Sequence, residues 1–417
     1  MPDDKQEQSG RDQDLIAYTA FSGLRNDVRP ERFERGDLAV AQNIDLDKTG
    51  EIRRRWGYTL SIAGATHSVW ANPQETICLF VQGNVLYSLS TDMYQSAIAT
   101  LQYSGPVSYE QVNDRVYFSN GVDTGVIEQA AVRSWGVAPP NLPDIEVGTG
   151  YMPCGTYLVT STWLMVDGQE SGAPQCVTVQ IDEPGGALLF SNMVPPANPR
   201  IAGRYIYITE PNGENIYQAL LFDADATSGA YANDTTELNL PLDSAFLQPA
   251  PPGQLVAYYR GRMFVAQGDL LFPSEPFAYE RFDPRANLQL DGRITMIGTL
   301  TDKELYDTGK NSGLFIGTDR SCGVIIGSSP EDFQYVPKTN YGAVFGTMVK
   351  MDGSVFEGGE TGTLELPAWL TTKGICVGMP GMTVRNLTRT RFQFPVGTQG
   401  AGLFMQEPDR LVFTTQS

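Results

Sequence analysis

Leu79-Phe80-Val81-Gln82-Gly83-Asn84-Val85-Leu86-Tyr87 is an apolar run, a Gly-Asn pair and a second apolar run, which is how a β-hairpin looks in sequence. The phrase returns as Arg115-Val116-Tyr117-Phe118-Ser119-Asn120-Gly121 and as Arg262-Met263-Phe264-Val265-Ala266-Gln267-Gly268-Asp269-Leu270-Leu271-Phe272. Further copies are Gly313-Leu314-Phe315-Ile316-Gly317-Thr318-Asp319, Gly353-Ser354-Val355-Phe356-Glu357-Gly358-Gly359 and Gly402-Leu403-Phe404-Met405-Gln406. Hairpins at roughly 40-to-50-residue intervals predict the blades of a β-propeller, about five to six of them. The plainer alternative is a β-rich fold without a true repeat. The rhythm stops between 135 and 255, so something else fills that interval.

Within the interval, Thr156-Tyr157-Leu158-Val159-Thr160-Ser161-Thr162-Trp163, Cys176-Val177-Thr178-Val179-Gln180-Ile181 and Arg204-Tyr205-Ile206-Tyr207-Ile208-Thr209 read as alternating strands. Short strands at about 10-residue spacing predict a β-sandwich. Trp135-Gly136-Val137-Ala138-Pro139-Pro140 and Pro249-Ala250-Pro251-Pro252-Gly253 punctuate its two ends. The expected organisation is a disordered arm over 1–18, a first propeller part over 19–147, an inserted sandwich over 148–250 and a second propeller part over 251–417. Leu411-Val412-Phe413-Thr414-Thr415 is expected to complete the first blade and so close the ring.

Composition narrows the chemistry. Hydrophobic residues make up 41% of the 417, and 43 Gly with 27 Pro imply many turns and few long helices. The net charge of −19 disfavours a nucleic-acid clamp, which needs a basic stripe. Five scattered cysteines without a CxxC argue against a disulfide framework or a zinc site and fit thiols made in a reducing cytoplasm. No apolar run is long enough to span a membrane, and Met1 to Asp14 lack the apolar core of a signal peptide.

No catalytic constellation emerges, and the chain is expected not to be an enzyme and to need no metal, cofactor or small-molecule ligand. His67 is the one histidine, lies in a strand-like setting and has no GxSxG elbow to serve. Asp45-x-Asp47-x-Thr49-Gly50-Glu51 begins like a calcium loop, but Trp56 stands at the twelfth position, where a bidentate Glu is required. Asp283, Asp291 and Glu304 share a loop-rich stretch without a feature that marks an acid–base pair. No Walker A or dinucleotide glycine motif follows a strand. Arg53-Arg54-Arg55 is the only dense basic run; with Trp56 beside it, it is either a solvated turn with internal ion pairs or a contact for a partner.

One resemblance gathers these features. Asn43-Ile44-Asp45-Leu46-Asp47 through Gly50-Glu51-Ile52-Arg53-Arg54-Arg55-Trp56-Gly57-Tyr58 resembles the N-terminal phrase of bacteriophage tail nozzle and tail-tube-extension β-propellers, the "stabilisation" proteins. Trp56 departs from it, standing where the family phrase has Pro. Tyr157 to Asp167, Tyr205-Ile206-Tyr207-Ile208-Thr209 and Tyr231-Ala232-Asn233-Asp234-Thr235 are similar to the fibronectin-III-like module of those proteins. Tyr341-Gly342-Ala343-Val344-Phe345 and Trp369-Leu370-Thr371-Thr372-Lys373-Gly374 look like their late blades.

The resemblance implies a virion structural protein assembled in the host cytoplasm. It implies a six-copy ring between an adaptor ring and distal tail proteins, with double-stranded DNA passing through without specific binding. Arg53, Arg54, Arg55 and Trp56 are then the candidate subunit contact. Acidic charge suits such a lumen, because carboxylates repel phosphates, although the sequence singles out none of them. The alternative is a carbohydrate-binding or carbohydrate-acting propeller for receptor attachment, which 19 Tyr would suit as stacking platforms.

Overall fold

The computed structural model describes residues 20–47, 49–74, 76–236, 238, 240–302, 312–355, 364–394, 397–405 and 410–416. The arm expected over 1–18 lies outside them. The chain is all-β: two single-turn 3-10 segments, Pro30–Arg32 and Gly353–Val355, are the helical elements among the described residues.

Turn chemistry builds the hairpins. Two-residue loops join Cys78–Gln82 to Val85–Leu89, Ser108–Val112 to Arg115–Ser119, Leu255–Tyr259 to Arg262–Gln267, and Arg262–Gln267 to Leu270–Glu275. The first loop residues are Gly83, Asn113, Arg260 and Gly268, with φ of 64°, 55°, 46° and 65°. Positive φ at that position gives a turn whose twist matches the strands, and Gly and Asn reach it at least cost.

The hairpins extend into meanders. Sheet 1 (66–100) and sheet 2 (108–133) each hold four strands, and sheet 3 (255–289) holds five. Sheet 4 (294–337) and sheet 5 (349–386) are meanders joined where the end of Ile294–Asp302 pairs Leu364–Thr371, at Thr301 with Glu365 and Asp302 with Leu364. Sheet 6 is the hairpin Gln399–Met405 with Arg410–Gln416.

Core clusters lie between consecutive sheets. Leu79, Val81 and Leu86 pack with Val116, Phe118 and Ile127 between sheets 1 and 2. Tyr117 and Val126 pack with Met263, Val265 and Phe282 between sheets 2 and 3. Phe264 and Leu271 meet Leu314 and Ile316 between sheets 3 and 4. Phe315 and Val324 meet Trp369 and Val377 between sheets 4 and 5, with Phe404 and Phe413 of sheet 6 against them. The strands Ser108–Val112, Leu255–Tyr259, Ile294–Asp302, Val349–Asp352 and Gln399–Met405 touch one another in that order. Sheets side by side with their first strands inward form a propeller-type arrangement. Each fully buried Leu, Val or Phe stabilises it by about 1.5–3 kcal/mol.

Two more sheets interrupt the series. Asp144–Met152, Gly186–Ser191 and Gly229–Tyr231 form one; Val177–Ile181, Gly155–Met165, Ile201–Thr209 and Ile216–Asp223 form the other, paired in the orders given. Tyr157, Val159, Ile206 and Ile208 of the second sheet share a core with Met152, Leu188 and Phe190 of the first. The insert's first strand therefore begins at Asp144, ahead of the expected boundary at 148.

Two other expectations need correction. The terminal strand Arg410–Gln416 pairs Gln399–Met405 and does not complete sheet 1. A terminal strand does not announce its partner, and the nearest apolar strand wins because closing a short loop costs least entropy. The copy beginning at Gly353 is not a strand: Gly353–Val355 is a 3-10 turn, and 356–359 lie outside the described residues.

Candidate functional site

Strand Ala278–Phe282 alternates buried and half-buried positions, so Glu280 shares the inward face with Ala278 and Phe282. A carboxylate there must find cations, because burying it unpaired is costly. Arg133 Nη2 lies 2.7 Å from Glu280 Oε1, and Arg200 Nη1 lies 2.8 Å from Oε2. Glu128 bridges Arg133 and Arg115 at 2.9 and 3.1 Å, and Arg200 reaches Asp167 at 3.5 Å. Arg115, Glu128 and Arg133 belong to sheet 2, Glu280 to sheet 3, and Arg200 and Asp167 to the insert. The network therefore ties the insert to the body.

Beside it opens a polar cavity of about 350 Å³, lined by Arg115, Tyr117, Glu128, Gln169, Tyr279 and Glu280. The Arg133 hydrogen bond, more than the opposing burial, holds the Glu128 carboxyl below the usual glutamate range. Glu128 is thus a fixed anion at neutral pH rather than a proton donor. Burial works against the Arg133 guanidinium, but Glu280 and Glu128 outweigh it and raise its pKa. The chemistry is that of a clamp.

The clamp has an apolar anchor. Trp135 is fully buried, donates its indole N–H to the Tyr279 carbonyl at 2.7 Å, and packs 5.1 Å from Tyr117 and 5.9 Å from Phe282, centroid to centroid. The exit linker pairs with the same strand through Gln248 and Phe282, at 2.8 and 2.9 Å. Gly136 lies between them at φ +97°, where a Cβ would stand 2.6 Å from the Glu280 carbonyl oxygen. Only glycine fits that conformation and that approach.

A second ion pair crosses the centre. Lys350 Nζ, on the first strand of sheet 5, lies 3.1 Å from Glu110 Oε1, on the first strand of sheet 2. Burial pushes the Glu110 carboxyl up, against the pull of Lys350, and a backbone N–H from Tyr258 of sheet 3 also reaches it. Burial opposes the Lys350 charge as well, but Glu110 and Glu365 outweigh it and hold its pKa above the usual lysine value.

The basic run divides. Ile44–Leu46 and Ile52–Arg54 form the expected hairpin. Within it Arg53 pairs with Glu51 at 3.2 Å and Arg55 with Asp45 at 3.2 Å, so these two serve the turn itself. Arg54 is exposed, and Trp56, Tyr58 and Leu60 are 84%, 72% and 77% exposed. Asp47 Oδ1 accepts from Thr49 N, Thr49 Oγ1 and Glu51 N, so the calcium-like stretch is a hydrogen-bonded turn. His67 Nδ1 lies 2.8 Å from Ser68 Oγ. Asp283 is taken by Arg285 at 2.7 Å and Asp291 by Thr318 and Ser321 at 3.0 and 2.8 Å, while Glu304 lies outside the described residues. Asp283 and Asp291 thus have separate partners. Among the described residues no group of three or more His, Cys, Asp or Glu could hold a metal ion.

Sequence reasoning missed Glu280, Arg200, Glu110 and Lys350. Period-2 alternation could have flagged Glu280, since it stands on the face of Phe282; the others carry no local signal.

No protein-family model matches the sequence, and no curated protein matches it. Among solved structures the chain is similar to BBS1N in complex with ARL6DN, at 12% identity over 86% of this chain and 93% of that one, TM-score 0.34. It is also similar to a streptogramin B lyase, at 11% identity over 85% and 92%, TM-score 0.33. The Cps50 (Swd1) beta-propeller domain of Myceliophteria thermophila is similar at 10% identity over 82% and 89%, TM-score 0.32. Likeness at this level carries no argument about the site, the substrate or the partners.

Proposed function

We propose that this protein is a structural component of a bacteriophage tail, a nozzle or tail-tube subunit that forms a homo-oligomeric ring around the path of the ejected DNA. In this reading it is a β-propeller of about five to six blades carrying a fibronectin-III-like insert. The observation that carries the reading is the hairpin at 44–54 with the chain leading from it. Arg53 and Arg55, though exposed, are paired with carboxylates of the turn, while Arg54, Trp56, Tyr58 and Leu60 stand outward on a molecule of charge −19. Exposed Arg and aromatic side chains are what protein interfaces are enriched in, and an acidic neighbouring copy is the complementary partner. A ring contact joins two different faces, so this patch need not match itself. The four-stranded sheet of the insert, with Gly155–Met165 and Ile201–Thr209 central, supports the fibronectin-III-like assignment.

Electron microscopy and mass photometry of the purified full chain test this. Rings are expected from the unaltered protein. The double variant Arg54→Glu, Trp56→Ala should remain monomeric with an unchanged melting temperature, since both side chains are exposed. A persistent monomer that binds a glycan array would replace the reading with receptor attachment. Rings that survive the double variant would remove the hairpin from the contact.

A further inference from the structure

Arg204 is the anomaly of the insert. It lies on strand Ile201–Thr209 opposite Trp163 in the register, is 3% exposed, and holds its guanidinium 4.4 Å above the indole ring. Nη1 donates to the Asn141 carbonyl and Nη2 to the Val194 carbonyl, both at 3.2 Å. Each arginine of the clamp has a carboxylate within 4 Å; among the described residues Arg204 has none. A guanidinium with five N–H donors and two carbonyl partners has donors to spare and lacks a countercharge. Burial accordingly lowers its pKa.

The residue lines a cleft of about 600 Å³ between the entry linker and the 193–201 loop. Two Pro-Pro pairs, Pro139-Pro140 and Pro195-Pro196, line it together with Trp163. Proline walls have a fixed φ, so a ligand entering between them immobilises little that was not already rigid.

The geometry points to a binding cleft for an extended peptide segment of a partner protein, with its carboxylate on Arg204 and its flanking apolar residues between the two Pro-Pro pairs. The charge argument selects the carboxylate: a planar guanidinium accepts it in a two-point fork, and its charge is otherwise uncompensated. The packing argument selects a peptide over a sugar. The guanidinium already covers a face of the Trp163 ring, so the aromatic platform a sugar would stack on is taken, and the walls left to a ligand are apolar pyrrolidines. The inference is independent of ring formation, since it concerns the insert and its linkers.

Tryptophan emission reads the site, because Trp135 and Trp163 both line it. The full chain is titrated with a capped proline–glutamate–proline peptide and its glutamine counterpart. A saturable change with the glutamate peptide is expected, with affinity at least about tenfold weaker for glutamine. Arg204→Lys, which keeps the charge but loses the fork, should weaken the glutamate peptide about tenfold. Equal affinity for the two peptides, no saturable change up to millimolar peptide, or tighter binding of glucuronate than of the peptide overturns the inference. The paired peptides on the unaltered chain decide the matter even if the variant fails to fold.

Discussion

Two junctions hold this chain together, and they are built differently. At the seam between insert and body, a buried carboxylate with two close arginines sits against a fully buried indole. At the junction of the chain ends, Asp37 is held by Arg25 at 2.9 Å and Arg391 at 3.5 Å, Asn26 and Gln393 exchange two hydrogen bonds, and Arg410 reaches Asp45 at 2.9 Å. Arg391 also donates to the Ser22 carbonyl. Among the described residues there, no large apolar side chain is fully buried. The same chemical groups appear in both places. What differs is the apolar frame: a fully buried indole backs the first, while the second is built of ion pairs and hydrogen bonds around a carboxylate, Asp37, whose side chain is itself fully buried.

That contrast can be broken most forcefully at Trp135. Trp135→Ala removes the aromatic anchor and should cost about 4 kcal/mol, measured by urea unfolding, with faster amide exchange throughout the insert. An insert that stays as protected as before would mean that the linkers, not the indole, hold it.

Glu280→Ala should cost somewhat less, about 3 kcal/mol, because Arg133 and Arg200 each lose the nearer of their two carboxylates. A double-mutant cycle with Arg200→Ala checks that the loss belongs to the pair. A coupling energy near zero would show that the seam holds by packing alone.

The smallest effect belongs to the chain ends and has a sign. The Arg25 hydrogen bond, with a backbone N–H from Glu34, sets the Asp37 carboxyl below the usual aspartate range. A depressed folded pKa gives stability that is full above the unfolded value of about 3.9 and is lost as pH falls through the folded one. Amide exchange over 21–38 and 388–393 should therefore rise on acidification below about pH 4 while the seam is still closed. Asp37→Asn should abolish that pH dependence. Uniform loosening of both junctions would erase the distinction between them.

The legible part of the fold was the local part. Gly83 and Gly268 announced their turns, and alternating apolar residues announced the strands and the change of texture at the insert. What escaped was everything tied across distance: Arg133 and Glu280 are 147 residues apart, Arg200 and Glu280 are 80 apart, and Glu110 and Lys350 are 240 apart. Strand pairing between sheets depends on register and closure rather than on side-chain pattern, and the same gap misassigned the terminal strand. Arg204 escaped for a related reason: Arg204-Tyr205-Ile206-Tyr207 reads as an ordinary strand start, and its guanidinium is held by the carbonyls of Asn141 and Val194, 63 and 10 residues away.

The tie between Lys350 and Glu110 has a geometric consequence. It spans the hub like a bolt between opposite spokes, fastened on a third side by Tyr258. The first strands of sheets 2 and 5 therefore cannot part without breaking a buried ion pair, which makes the middle of the body a closed joint and not a passage.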